Sequence, residues 1–334
     1  MNFHADRGKM GGMETHQNNG VQKRLILSIG LTLIIFFAEL FGGLWTGSLA
    51  LLSDAAHMFM DVFALVLSAS ALWLSSRPAD DGHTYGYHRF EVLAALVNGI
   101  SLAAIAIGIF IEAIDRFQSE LVIRSGEMLI IAAIGLAVNL VVAFVLNGHD
   151  HDHGHENDHD HEHISATSGK DLNLNSAFLH VIGDAISSVG VIVAAIIVGL
   201  TGLNWVDPLV SVLIGVMISL SAVRVLRSAL HILVEGTPVG MSQKTVNASI
   251  TGTDGVLEVH DLHVWSICSG NIALSAHVVV APDAEGGVSG TLKRIQDRLH
   301  DAFGIHHTTI QVEEDCCGQC ESCSANITAE FTQK

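Results

Sequence analysis

The segment Leu51–Leu65, LLSDAAHMFMDVFAL, sets His57 and Asp61 four residues apart inside a long apolar run, and HVIGD repeats that spacing at His180 and Asp184. On a helix, residues i and i+4 differ by about 40° around the axis and project to one face about 6 Å apart, so each pair can share a ligand. An Asp at mid-membrane costs about 2.5 to 3.5 kcal/mol on insertion scales, so four such groups need partners in a shared cavity. A divalent cation supplies one. Two imidazole nitrogens and two carboxylate oxygens suit tetrahedral Zn²⁺, the absence of thiolate argues against Cu(I), and fewer than six oxygens argues against Mg²⁺ or Ca²⁺. Co²⁺ and Cd²⁺ stay open. Any one of these residues could merely hydrogen-bond a neighbouring helix, but unrelated structural needs would not favour the same register twice.

The elements that must carry these residues are membrane helices. The chain has 334 residues, of which 49% are hydrophobic and 15% charged, and its mean hydropathy is +0.46. Six stretches have the length of about 20 apolar residues that a bilayer requires: Leu25 to Trp45, Leu49 to Ser75, Phe90 to Ile114, Met128 to Asn147, Leu174 to Leu200 and Val206 to Leu233. The first is followed by further spans and does not read as a cleaved signal. With the N-terminus inside, the cytoplasmic ends receive Arg7, Lys9, Lys23, Arg24, Arg77, Arg89, Lys170, Arg224 and Arg227, against Arg116 and Arg124 outside. The positive-inside bias therefore expects both termini in the cytoplasm, at the cytoplasmic (inner) membrane. A formal charge of −18 with no basic patch argues against nucleic acid.

After Gly236 the pattern changes. A helix around Ser242 to Thr251 precedes two alternating runs, VLEVHDLHVWSI and IALSAHVVV, then helical GTLKRIQDRLHDAF and a last strand HTTIQVEE. The order α-β-β-α-β fits one sheet covered on one face by two helices. The expected organisation is a cytoplasmic tail (1–22), a six-helix transmembrane domain (23–235) with a His-rich loop (148–165), a cytoplasmic α+β domain (236–314) and a Cys-rich tail (315–334).

Other segments are metal-prone. The loop GHDHDHGHENDHDHEH carries seven His between His149 and His163, a composition that cannot pack a core. It reads either as an acidic linker or as a weak, multivalent cation trap. Four of five cysteines crowd into CCGQCESC, where Cys317 with Cys320 and Cys320 with Cys323 form overlapping C-x-x-C pairs. That spacing is half of a zinc site, which His4 or His16 of a neighbouring protomer could complete, or else a redox-sensitive tail. His260 and His277 fall on adjacent strands and Glu313 on the last, so the three can converge. His263 and Trp265 read mainly as sheet packing. Glu39, Asn139, Asp54 and Asp207 are weaker polar intrusions: Asp54 as a proton relay or access residue, Asp207 before Pro208 as a helix N-cap.

SLALLSDAAHMFMD, RPADDGHTYGYHRFE, HVIGD and HDLHVWS together resemble the cation diffusion facilitator family, in its bacterial zinc-efflux and animal zinc-transporter branch, over roughly Lys23 to Glu314. The resemblance implies a homodimer of six-helix protomers that exchange cytoplasmic metal for external protons, with a cytoplasmic ferredoxin-like domain assisting dimerisation. It puts the transport ligands on His57, Asp61, His180 and Asp184, in the zinc-preferring form. It also implies a peripheral metal site in the loop around Asp80, with His83 and His88 as candidates, although Tyr87 stands where some members have His. In the cytoplasmic domain it implies metal binding by His260, His277 and Glu313 with the C-x-x-C pair, Cys317 and Cys320. The expectation is a secondary transporter exporting Zn²⁺, or Cd²⁺ or Co²⁺, by alternating access. A P-loop for ATP is absent from the sequence. The rival reading is a membrane metal sensor without turnover. Zinc hydrolysis is disfavoured, because four protein ligands leave no open coordination position.

Overall fold

The computed structural model describes residues 30–119, 123–147, 169–268 and 270–313, with side chains between 143 and 182 left out. The helices are α1 (Gly30–Thr46), α2 (Leu49–Ser75), α3 (Arg89–Gln118), α4 (Ser125–Asn147), α5 (Gly169–Thr201) and α6 (Val206–Leu233). Five of them, α2 to α6, are long and apolar enough to cross a bilayer, and α1 is a shorter apolar helix as far as it is described. The first five residues of the expected first span lie outside the described residues. Large side chains such as Phe41, Trp45, Ile107, Ile134 and Leu213 are exposed. Such a surface is costly in water but ordinary against lipid, where helices satisfy their own backbone groups.

The chain divides into two compact units, one comprising residues up to Leu65 with Ser101–Ala222, the other Val66–Ile100 with Val223 onward. In the first, Leu51, Met60, Met128, Val191, Ala194, Ile214 and Ile218 belong to one buried cluster. Close approach depends on small residues: a Cβ on Gly42 would lie 2.5 Å from Ile131, and one on Gly215 would lie 2.9 Å from Phe110.

The turn between α1 and α2 is fixed by polar contacts that a membrane-buried helix end needs. Gly47 takes the left-handed conformation, at φ 75°, and its carbonyl accepts from the Arg116 guanidinium. Asp207 does not cap its own helix. Its carboxylate accepts from Ser48 Oγ at 2.5 Å, Leu49 N at 2.7 Å and Ala50 N at 3.3 Å, while Ser48 Oγ takes the Leu51 N–H at 3.2 Å. Asp207 thus caps the start of α2 from α6. The reading of Asp207 as a local cap had the right chemistry on the wrong helix, because sequence spacing shows only the residues along one chain segment.

The second unit holds α7 (Gln243–Thr251), β1 (Val256–Cys268), β2 (Asn271–Val280), α8 (Gly287–Phe303) and β3 (His307–Glu313). The α-β-β-α-β order expected from the sequence is present. The sheet order is β1-β2-β3, with β1 and β2 antiparallel and β2 and β3 parallel. Val246 and Ile250 of α7 and Thr291, Ile295 and Leu299 of α8 repeat every fourth residue and are buried, and all but Thr291 pack with Val264, Leu274 and Val278 of the sheet in one core. In the same unit Cys268 packs against Val92 of α3 and Ala229 of α6.

Asp207→Ala should destabilise the protein by about 1 to 3 kcal/mol, the cost of stranding buried donors. Ser48→Ala, which leaves both amides their acceptor, should cost less. Thermal unfolding in detergent checks the order; equal Tm values for Asp207→Ala and wild type would contradict the cap.

Candidate metal centre

His57 and Asp61 lie one turn apart on α2, and Asp184 lies on α5. His57 Nε2 is 3.5 Å from Asp184 Oδ1 and 3.9 Å from Asp61 Oδ2. The three side chains offer ligand atoms all within 4.8 Å of one another. Nitrogen and oxygen ligands around tetrahedral Zn²⁺ sit roughly 3.3 Å apart, so small side-chain rotations would close this set on an ion. His180 is on α5, one turn before Asp184, but its side chain lies outside the described residues.

Around the triad lies a polar layer. Ser187 Oγ, one turn after Asp184, is 2.6 Å from Asp54 Oδ1, and Ser188 Oγ is 3.4 Å from Asp54 Oδ2. Asn139 Nδ2 of α4 donates to Ser188 Oγ at 3.4 Å. Asp54 is one turn before His57, so its contact with Ser187 fixes the register in which α2 meets α5. The two serines were missed in the sequence, although D-x-x-S-S after HVIG was visible. Glu39 of α1 is 1% exposed, and neither of its carboxyl oxygens has a hydrogen-bond partner among the described residues.

The second unit carries two further sets. His260 and His277 are direct cross-strand partners on β1 and β2, and Glu313 is on β3. Glu313 lies 3.3 Å from His260 Nε2 and 3.1 Å from His277 Nδ1. These three ligand residues also gather within 4.8 Å, with His260 buried. Convergence follows from the period-two alternation of strands. Cys317 and Cys320, expected to join them, lie outside the described residues, as do the His-rich loop and the N-terminal tail. His263 is not sheet packing: its side chain is 64% exposed and 3.1 Å from Asp261. It alternates along β1 with the buried Leu262 and Val264, so the strand's period of two leaves it on the uncovered face.

In the loop between α2 and α3, His83 and His88 belong to different groups. His83 Nδ1 is 3.3 Å from Asp80, whose other oxygen accepts from the Tyr87 hydroxyl at 2.6 Å. His88 instead gathers with Glu91 and Cys268. Glu91 and Cys268 were missed as site residues; His88 and Glu91 stand three apart at a helix start, but nothing in sequence links them to the end of β1. Burial, with the Glu91 carboxylate adding, pushes the Cys268 thiol above its usual range.

Membrane-length helices followed by a small sheet with clustered metal ligands define a multi-pass integral membrane protein. The family model for the cation efflux transmembrane domain matches residues 25–234, and that for the cation efflux protein cytoplasmic domain matches residues 238–315. The chain belongs to the cation efflux, or cation diffusion facilitator, family, whose members transport metal ions and are not enzymes. It is 38% identical to the cadmium, cobalt and zinc/H(+)-K(+) antiporter of Bacillus subtilis, covering 91% of this chain and 93% of that protein. It is also 38% identical to the metal cation efflux system protein CzcD of Cupriavidus metallidurans, over 94% and 93% of the two chains. The proton-coupled zinc antiporter SLC30A2 of Mus musculus is 32% identical, over 97% and 86%.

The loop geometry generates a titration prediction. The Tyr87 hydroxyl bond, before the backbone bond from His83, holds the Asp80 carboxyl below the usual carboxylate range. These bonds are therefore intact above the ordinary Asp pKa of about 3.9 and lost as pH falls through the depressed value. Tyr87→Phe should move the Asp80 midpoint upward in an NMR titration of the carboxyl carbon. An unmoved midpoint would contradict the contact.

Proposed function

We propose that this protein exports Zn²⁺ from the cytoplasm in exchange for protons through a site made by His57, Asp61, His180 and Asp184. The observation that carries this reading is the gathering of His57, Asp61 and Asp184 from two apolar helices to within ligand distance of one another. His180 supplies the fourth ligand from the helix that carries Asp184. With both imidazoles neutral and both carboxylates ionised, the ligand charge of −2 balances a divalent cation, which offsets the cost of the carboxylates in the bilayer. The relatives named for cadmium, cobalt and zinc support a first-row or group-12 divalent substrate, with Cd²⁺ and Co²⁺ as further cargo.

Proton coupling follows from the same chemistry. Protonating either His or Asp removes a ligand lone pair and changes the site's charge, so proton binding and metal binding exclude one another. A site that faces the cytoplasm loads metal and releases protons; facing outward, it accepts protons and releases metal. Rocking of helices around a fixed midplane site is the scheme that serves such an exchange. Asp54, adjoining the ligands through Ser187, is suited to relay a proton or guard access. The names of two relatives include protons.

The same reading takes the protein as a homodimer in the cytoplasmic (inner) membrane with both termini inside. It divides the chain at 1–22, 23–235, 236–314 and 315–334. His260, His277 and Glu313, with Cys317 and Cys320, form a cytoplasmic-domain metal site. That triad is also what favours a second reading, a membrane metal sensor that binds without turnover.

Flux separates the two. In proteoliposomes with an imposed pH gradient, the wild-type protein should accumulate Zn²⁺ on the acidic side, alkalinise that lumen, and stop when the gradient is collapsed by a protonophore. Binding without pH-driven accumulation would favour the sensor.

A further inference from the structure

A third metal-ready cluster lies outside the transport tetrad and the His260 triad. His88, immediately before α3, Glu91 in the first turn of α3 and Cys268 at the end of β1 offer one ligand atom each, all within 4.8 Å of one another. We propose that these three residues bind a thiophilic divalent cation, Zn²⁺ or Cd²⁺ in class, and thereby tie the end of β1 to the first turn of α3.

The ligand types argue for that class. A thiolate, an imidazole and a carboxylate match the S, N and O donors of zinc sites, whereas one soft donor in three is poor for Cu(I) and the thiolate is foreign to Mg²⁺ and Ca²⁺. The thiolate and carboxylate together neutralise a divalent ion, which suits a partly buried place. Zinc bound by sulfur, nitrogen and oxygen needs ligand separations of roughly 3.3 to 3.6 Å, so closure from the observed spacing takes a side-chain rotation rather than a backbone change.

The surroundings orient the ligands and give an entry path. Ser75, the last residue of α2, donates from Oγ to Glu91 Oε1 at 2.7 Å, leaving the other carboxyl oxygen to face a metal. Asn271 Nδ2 lies 3.4 Å from Cys268 Sγ. Cys268 is 2% exposed and pairs with Asn271 at the strand end, next to a register shift. His88 lines a cavity of about 470 Å³ together with Ser75, Tyr85, Ile267, Asn271 and His307. That cavity reaches the cluster from the His88 side, the direction from which an ion would enter. Because Ser75 ends the helix that carries His57 and Asp61, occupancy would fix the last turn of α2 through Glu91.

This inference stands apart from the transport tetrad, which contains no thiol. The test uses the full chain in detergent with Cys316, Cys317, Cys320 and Cys323 changed to Ser, leaving Cys268 as the one thiol among five cysteine positions. Titration with Cd²⁺ alone should raise a saturable thiolate-to-cadmium ultraviolet band whose final amplitude corresponds to a single thiolate per chain, the thiol-free sites taking up metal without adding to it. Cys268→Ser, nearly isosteric, should abolish the band, and His88→Ala or Glu91→Gln should shift its midpoint at least about tenfold. Glu91→Gln keeps an acceptor for Ser75, so folding is preserved in that arm. No band with Cys268 present, or a midpoint unmoved by both His88→Ala and Glu91→Gln, would overturn the proposal. Loss of the membrane site's transport role would leave the band in place.

Discussion

Carboxylates among apolar helices dominate the design of this protein. Ionised Asp in a bilayer is expensive, and the helices are arranged so that Asp54, Asp61, Asp184 and Asp207 each meet a polar side chain. The contact between Asp54 and the Ser187 hydroxyl, 2.6 Å long, is the one on which the remaining geometry depends. It joins α2 to α5 one turn from His57 on one helix and one turn from Asp184 on the other. A slip of either helix by one residue would rotate the ligand face by about 100°, and the metal ligands would no longer converge. Asp207 serves the same helix about one turn earlier, holding the first amides of α2 from α6. α2 is therefore pinned by two carboxylate contacts within its first two turns.

Polar pinning of this kind also explains why the bundle can be tight where there is no hydrophobic drive between helices. Lipid tails are as apolar as Leu, so association relies on close packing and on hydrogen bonds. Gly42 against Ile131 and Gly215 against Phe110 supply the first, and Asp54, Asn139, Ser187 and Ser188 supply the second. Glu39, buried beside Gly135 without a hydrogen-bond partner among the described residues, departs from that economy.

Much of this was legible in the sequence, for identifiable reasons. Hydrophobic length alone marks the membrane helices, and H-x-x-x-D in two spans marks one face of each, since helical period converts spacing directly into direction. The His260, His277 and Glu313 triad was legible because strands alternate and β1 and β2 are joined by a short turn. What sequence could not carry is contact between remote segments with no shared period. Asp207 looks like its own helix's cap until α2 is seen beside it. His88 and His83 look like one loop cluster until Tyr87 and Asp80 claim His83 and Cys268 meets His88. His263 looks like sheet packing until Leu262 and Val264 are seen to take the covered face, which leaves it exposed.

The central claim is that two helices share one transported ion, and Asp184 tests it most directly because it is the α5 member whose distance to His57 is known, at 3.5 Å. The decisive measurement is pH-driven Zn²⁺ uptake by proteoliposomes containing Asp184→Ala, compared at equal protein content with wild type and with protein lacking the His-rich loop. The account predicts uptake at the level of empty liposomes for Asp184→Ala and retained uptake for the loop deletion. Wild-type uptake by Asp184→Ala would contradict it.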